Sequence, residues 1–198
     1  GLVAKGHEAG GWVGQETTFI LLQQLLRELS LPVWAQGGIG LHTAASCYAA
    51  GAAGVVLDGQ LILTRESSLP DQTKAVLARM DGSEPLCLGE ALDESCRLYA
   101  RPSSPTVRPL QDLLRTLAQD SNPSEARAIW RREIRRRAGW DNPEQNVWLF
   151  GQDVAFAASL ARRFHTVAGV LEGMQRAIET QVRSAQATTP FEKDTPLA

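Results

Sequence analysis

The chain has 198 residues, of which 43% are hydrophobic, enough for a packed core and too apolar for wholesale disorder. A formal net charge of -2 argues against a general nucleic-acid-binding surface. The three cysteines (Cys47, Cys87, Cys96) lack CxxC spacing, which gives no zinc pattern or other metal site and favours a reducing, cytoplasmic setting. No apolar run approaches the ~18 residues of a membrane span, and no leader is expected.

Gly1 to Lys5 reads as the end of a buried strand. Gly6 to Gly14 is too rich in glycine for either regular element and is predicted to be a loop. Thr17-Thr18 can cap the helix that follows, whose apolar positions Phe19, Leu21, Leu22, Leu25, Leu26 and Leu29 are spaced at three and four. Pro32 ends that connection, and Val33-Trp34-Ala35 is a short strand. Gly37 to Gly40 turns the chain into a small-residue helix, His42 to Ala50, which Gly51 stops. Val55-Val56-Leu57 is the next strand, turning at Asp58-Gly59. Strand, loop and helix alternate at about 20 to 25 residues per unit, the period of βα crossovers. An opening in mid-strand is the expectation for a piece of a longer polypeptide.

The pattern changes after Ser67. Leu69 to Met80 is a helix candidate with Ala75, Val76, Leu77 and Met80 on one side. Asp81 to Pro109 is mixed, with short apolar patches at Leu86-Cys87-Leu88 and Leu98-Tyr99-Ala100. Leu110 to Leu117 resumes helix. Ser124 to Arg137 is a strong helix opened by Ser124 and closed by Gly139. Phe156 to Gln181 is a long helical stretch with a break expected near Thr166 or Gly169, and the tail from Ser184 reads as a linker.

The glycine turns carry the chemistry. Gly37-Gly38, between a strand and a helix, exposes amide N–H groups that a phosphate can approach at the positive end of the helix dipole. Asp58-Gly59, one unit later, sets a second turn alongside, and two adjacent turns making one phosphate cup recur in α/β barrels. The alternative for both is a tight turn and nothing more.

Three segments resemble the nitronate monooxygenase family (2-nitropropane dioxygenases), which includes FMN-dependent enoyl-acyl carrier protein reductases. Glu8-Ala9-Gly10-Gly11-Trp12-Val13-Gly14, with Thr17-Thr18 after it, is similar to the family's Glu-Ala/Ser-Gly-Gly-His-x-Gly loop. Val33 to Ile39 resembles its Pro-Val-x-Ala-x-Gly-Gly-Ile turn, and Gly51-Ala52-Ala53-Gly54-Val55 to Glu66-Ser67 its Gly-Ala-x-Gly-Val…Glu-Ser segment. More weakly, Leu149-Phe150-Gly151-Gln152 is similar to its closing Trp-Ala-Gly-Gln. The resemblance implies an α/β fold: the C-terminal half of a TIM (β/α)8 barrel followed by a mostly helical extension. The expected organisation is barrel units at 1–68, a mostly helical insertion at 69–146, a closing segment and helix at 147–183, and a linker at 184–198.

The resemblance also implies FMN contacts at Lys5, Gly10, Gly11, Gly37, Gly38, Val56, Leu57, Asp58 and Gly59, with NAD(P)H as a further cofactor. Val56 stands where the family has Gln, and Asp58-Gly59 where it has Gly-Thr. Trp12 occupies the position of the family's catalytic His, and an indole cannot serve as a base because its only polar group is a donor N–H. His7 is the nearest imidazole, read either as a candidate base or as a solvent-facing loop residue. Glu8 reads either as an acid or base, or as a structural carboxylate bonded to loop amides. The motif style is similar to barrels embedded in bacterial polyketide or polyunsaturated fatty acid synthases. This implies a small-molecule or acyl-thioester substrate, and neighbouring synthase domains or an acyl carrier protein as partners. Arg127, Arg131, Arg132, Arg135, Arg136 and Arg137 form either a docking face for an acidic carrier or a solvated face. Two functions follow: an FMN-dependent oxidoreductase, or a barrel kept without catalysis as a scaffold or docking module.

Overall fold

The structure, a computed structural model, describes residues 1–99, 105–140 and 145–188, with side chains of the last helix described to residue 184. The three expected strands form one parallel sheet in the order β1 (Leu2–Lys5), β3 (Val33–Gln36), β4 (Gly54–Val56). Its register sets Ala4 against Ala35 and Ala35 against Val55. The crossovers are α1 (Thr18–Glu28) and α2 (Leu41–Ala49), so β1 and β3 are each followed by a helix on the same side of the sheet, the layering of an α/β barrel wall.

Alternation along the strands decides which face is covered. Ala4, Val33 and Ala35 point toward the helices and are fully buried with Leu22, Ile39, Ala44 and Cys47. Val3 and Trp34, on the other face, are 51% and 37% exposed, so the face that lies inward in a closed barrel is open here. Two later helices complete the outer layer: α6 (Ala157–Phe164) and α7 (Val167–Thr188) bury Leu160, Val170 and Met174 in the same cluster. The expected break in this helical stretch falls at His165, whose φ of 63° turns the chain between α6 and α7. Glu66 Oε2 then accepts the Val167 N–H at 3.1 Å and caps α7.

Several expectations are corrected. The glycine loop contains a short strand, β2 (Gly11–Trp12), because its backbone pairs antiparallel with β6 (Cys96–Tyr99). The segment expected to be mostly helical also carries a sheet, ordered β2-β6-β5, in which the apolar patches form β5 (Pro85–Leu88) and β6. Helices α3 (Asp71–Leu77), α4 (Val107–Leu117) and α5 (Pro123–Arg137) accompany it. Leu77 and Met80 are buried as expected, while Ala75 is exposed. The cap of α5 is Asn122 rather than Ser124: its side chain accepts the Glu125 N–H at 3.3 Å, and Pro123 takes the first helical position, where its missing N–H costs nothing. Thr17 makes no side-chain cap on α1. Helix α7 runs on through Ser184 to Thr188, where a linker was expected; the rest of that linker, like Ala100, lies outside the described residues.

The second sheet and α4–α5 have their own core around Leu98, Leu110, Trp130, Ile134 and Val147. Trp130 is fully buried and its indole N–H reaches the Glu94 carbonyl at 2.9 Å. A third cluster, of Leu77, Met80, Trp148, Phe150 and Val154, joins this part to the parallel sheet. There the chain passes Tyr99 in a bridge at Trp148 and presses Leu149 to Gly151 onto Gly10.

Candidate functional site

The two glycine turns lie side by side at the C-terminal ends of β3 and β4. Gly37 (φ 109°) and Gly38 (φ 64°) both occupy the left-handed region, which is why the first turn requires glycine. A Cβ on Gly37 would stand 3.0 Å from the Ala9 N, whereas one on Gly38 would meet nothing closer than 3.8 Å, so Gly38 faces open space. Among the described residues no acceptor is bonded to the N–H of Gly38, Ile39 or Gly59. These are the amides a phosphate would need, and an unengaged cradle of this kind fits one. The second turn offers less than the sequence implies. The Asp58 N–H is held by Gln60 Oε1 at 2.6 Å, leaving Gly59 as its donor. Val56 is half-buried, and Leu57 packs its side chain on the helix-side core, so its contribution to the turn is backbone.

Glu8 belongs to the scaffold of the first turn. Its Oε2 accepts the Thr18 N–H at 3.0 Å and the Thr18 hydroxyl lies 3.1 Å away, so the carboxylate caps α1 from a distant loop. The same hydroxyl stands 3.0 Å from the carbonyls of both Gln36 and Gly37. Thr18, 2% exposed, is therefore the joint between the glycine loop, α1 and the first turn. His7 is tied down as well: its Nδ1 donates to the Gly14 carbonyl at 2.8 Å, and its own carbonyl accepts Arg97 Nε at 2.8 Å. Arg97 is 5% exposed on β6, opposite Gly11 in the ladder.

Lys5 points from the end of β1 toward the loop, with Nζ 3.7 Å from where a Cβ on Gly11 would stand. Gly10 and Gly11 are buried, and Gly10 packs against the backbone of Leu149 to Gly151, with Gly151 N 2.7 Å from its Cβ position. Trp12 pairs with Cys96 and packs on the second core. The indole thus packs between the loop and the second sheet. On the arginine helix, Arg127 donates to the Leu92 carbonyl, Arg131 pairs with Glu94, and Arg136 and Arg137 both pair with Glu133. That double pairing holds the Glu133 carboxyl down at about 2. Four of the six arginines therefore serve internal bonds, and Arg132 and Arg135 remain as exposed positions.

Two polar residues at the centre of the site have no counterpart in the sequence reading. Gln60 is fully buried, and its Nε2 donates to the Ile39 carbonyl at 2.9 Å and to Asp153 Oδ2 at 3.1 Å. Asp153, 1% exposed, follows Gly151-Gln152 where the closing segment meets the turns. Desolvation first, then the charge of Asp58, pushes its carboxyl up to about 7, against the lowering effect of its own backbone and of Gln60. A lone acid in the apolar run Asp153-Val154-Ala155-Phe156 was the only signal for it; Gln60 carried none. Among the described residues no group of His, Cys, Asp and Glu could hold a metal ion.

Parallel βα units ending in paired glycine turns define part of an α/β barrel wall. Residues 1–86 match the model of the nitronate monooxygenase family. A dehydrogenase of Rhodococcus jostii named for (3aS,4S,5R,7aS)-5-hydroxy-7a-methyl-1-oxo-octahydro-1H-indene-4-carboxyl-CoA is 39% identical over 77 residues, 37% of this chain and 21% of that protein. The Mycobacterium tuberculosis protein of the same name is 37% identical over 91 residues, 41% of this chain and 25% of that protein. Among solved structures, FabK from Thermotoga maritima superposes with a TM-score of 0.73 at 22% identity, covering 94% of this chain and 57% of FabK. Nitroalkane oxidase from Streptomyces ansochromogenes gives 0.63 at 21% identity, covering 93% of this chain and 52% of the oxidase. The enoyl reductase domain of MlnA from Bacillus amyloliquefaciens gives 0.71 at 10%, covering 94% and 58%. The structural likenesses establish the fold. The chain spans about a quarter or less of the curated relatives and a little over half of the solved ones.

Proposed function

We propose that this chain supplies the phosphate-holding side of an FMN site in an oxidoreductase barrel, acting on a nitronate-type small molecule or an enoyl thioester. The observation that carries the reading is the pair of adjacent turns whose Gly38, Ile39 and Gly59 amides have no acceptor among the described residues. FMN, when bound, supplies hydride and electron-transfer chemistry. The chain's own part is to bind and orient: Gly38, Ile39 and Gly59 hold phosphate, Lys5 brings a cation to the loop, and Glu8 and Thr18 fix the first turn. The groove beside that turn, lined by Gly40, Leu41, Phe156 and Leu160, is about 260 Å³. That is below the ~300–1,000 Å³ of complete ligand pockets, which supports a role as one wall of the site. A reaction consuming NAD(P)H, a cytoplasmic setting and membership of a fatty acid or polyketide synthase belong to the same proposal, with Arg132 and Arg135 as the surface offered to an acidic carrier.

One observation favours a second reading, a barrel retained as a scaffold: Trp12, which the family resemblance sets at the base position, packs against a core. It weighs more heavily against proton abstraction than against thioester reduction. The test is flavin content of the intact protein by visible absorbance. Gly38→Asp places a carboxylate in the cradle at a φ that Asp and Asn both tolerate. It should abolish the flavin spectrum, while Gly38→Asn retains a larger share. A colourless protein that FMN cannot reconstitute would refute the first reading and leave the scaffold.

A further inference from the structure

The two oxygens of Asp153 are unequal. Oδ2 accepts from Gln60, while Oδ1 is buried without a partner among the described residues. Oδ1 lies 3.1 Å from where a Cβ on Gly59 would stand and 2.8 Å from one on Gly151, so it rests against the backbone of the second turn. Gln60 uses its amide on three partners at once. Its nitrogen donates to Ile39 in the first turn and to Asp153, and its oxygen accepts from Asp58 in the second. An amide has donors on one side and acceptors on the other, so this set fixes its orientation: reversed, its oxygen would face the Ile39 carbonyl and a carboxylate. Gln60 therefore ties the two turns to each other and to Asp153.

Building on the flavin reading, we propose that Asp153 is a positioning residue for the cofactor phosphate, holding through Gln60 the spacing of the two glycine turns and setting the charge behind them. The charges that bear on it are Asp58 at the end of β4 and Glu8 in the glycine loop; Arg162 and Arg163 on α6 are exposed to solvent. Burial keeps the Asp153 carboxyl neutral on the acid side of about 7 and leaves it ionised above that. Neutral, it adds no negative charge beside a phosphate. Ionised, it opposes one with little water to screen it.

The test is the FMN dissociation constant of the intact protein between pH 6 and pH 8. Relative to Asp153→Asn, in which the FMN phosphate still titrates, the wild type should weaken about tenfold across that range, bounded by one proton linked to binding. The second ionisation of the FMN phosphate runs the other way and is common to all variants. Asp153→Asn keeps an acceptor for Gln60 and should lose the weakening, binding more tightly than wild type at pH 8. Gln60→Leu cuts the tie and leaves the carboxyl, so it should weaken FMN about tenfold at pH 6 and move the further, pH-dependent weakening to higher pH, because the Gln60 bond lowers the carboxyl. Should Asp153→Asn fail to fold, the Asp153 carboxyl carbon followed by NMR gives the same answer, because linkage is reciprocal: FMN should raise its titration midpoint. An unchanged pH profile in Asp153→Asn, wild-type affinity in Gln60→Leu, or an unmoved midpoint overturns the role of Asp153 while the flavin site stands. A wild type that binds no FMN at any pH overturns the flavin reading and this inference together.

Discussion

Replacing Thr18 with Val removes one hydroxyl from the joint between the glycine loop, α1 and the first turn while keeping its shape. The hydroxyl lies within 3.1 Å of three acceptors, Glu8 Oε2 and the carbonyls of Gln36 and Gly37, but it has one proton to donate. The loss is therefore that of one bond in a 2%-exposed site, plus poorer satisfaction of the acceptors, and not of three bonds. A buried hydroxyl in this position is worth about 2 kcal/mol, which in a protein of this size lowers the melting temperature by about 4–8 °C. The Thr18 N–H still donates to Glu8 at 3.0 Å, so α1 stays capped and the cost stays modest. Urea unfolding of wild type, Thr18→Val, Glu8→Gln and the double variant forms a cycle. Coupling above ~0.5 kcal/mol is expected because the two residues touch. A Thr18→Val protein within ~0.5 kcal/mol of wild type, or strictly additive effects, would refute the joint.

Other outcomes follow from the same geometry. Gly151→Ala sets a methyl 2.6 Å from the Glu8 carbonyl and 2.8 Å from Gly10 N, both backbone atoms that cannot step aside; thermal unfolding should show a loss of about 1–3 kcal/mol, and unchanged stability would contradict the close approach of loop and closing segment. The Asp153 carboxyl, raised in the folded protein from 3.8 to about 7, binds a proton that the unfolded chain has released. Its stabilisation is complete below about pH 4 and is lost as pH rises to about 7, on the order of 4 kcal/mol in all. Asp153→Asn should flatten that part of the curve of unfolding free energy against pH, and an unaltered slope would show that the carboxyl titrates normally.

The parallel sheet and its helices were legible because their signals are local. Glycine turns, a three-and-four apolar spacing in α1 and short β-branched runs gave β1, β3, β4, α1 and α2 to within a residue or two. The left-handed φ of Gly37 and Gly38 was implicit in the need for glycine after a strand. The second sheet was hidden because its partners are distant in sequence: Gly11–Trp12 is a strand only because Cys96 and Arg97 lie beside it, more than eighty residues on. Trp12 illustrates the same point, since its packing role appears only once β6 and α4–α5 are in place. Glu8 was ambiguous until Thr18 came within bonding distance. Gln60 and Asp153 join residues from Ile39 to the closing segment, and no spacing rule connects positions so far apart.

The central claim is that the turns at Gly37-Gly38 and Asp58-Gly59 hold a flavin phosphate. Comparing the affinity of the intact protein for FMN and for riboflavin, which differ by that phosphate alone, tests it most directly. Amide donors at the end of β3 and at Gly59 predict FMN bound about a hundredfold more tightly, one to two charge-assisted hydrogen bonds' worth. Equal affinity for the two flavins would contradict the claim.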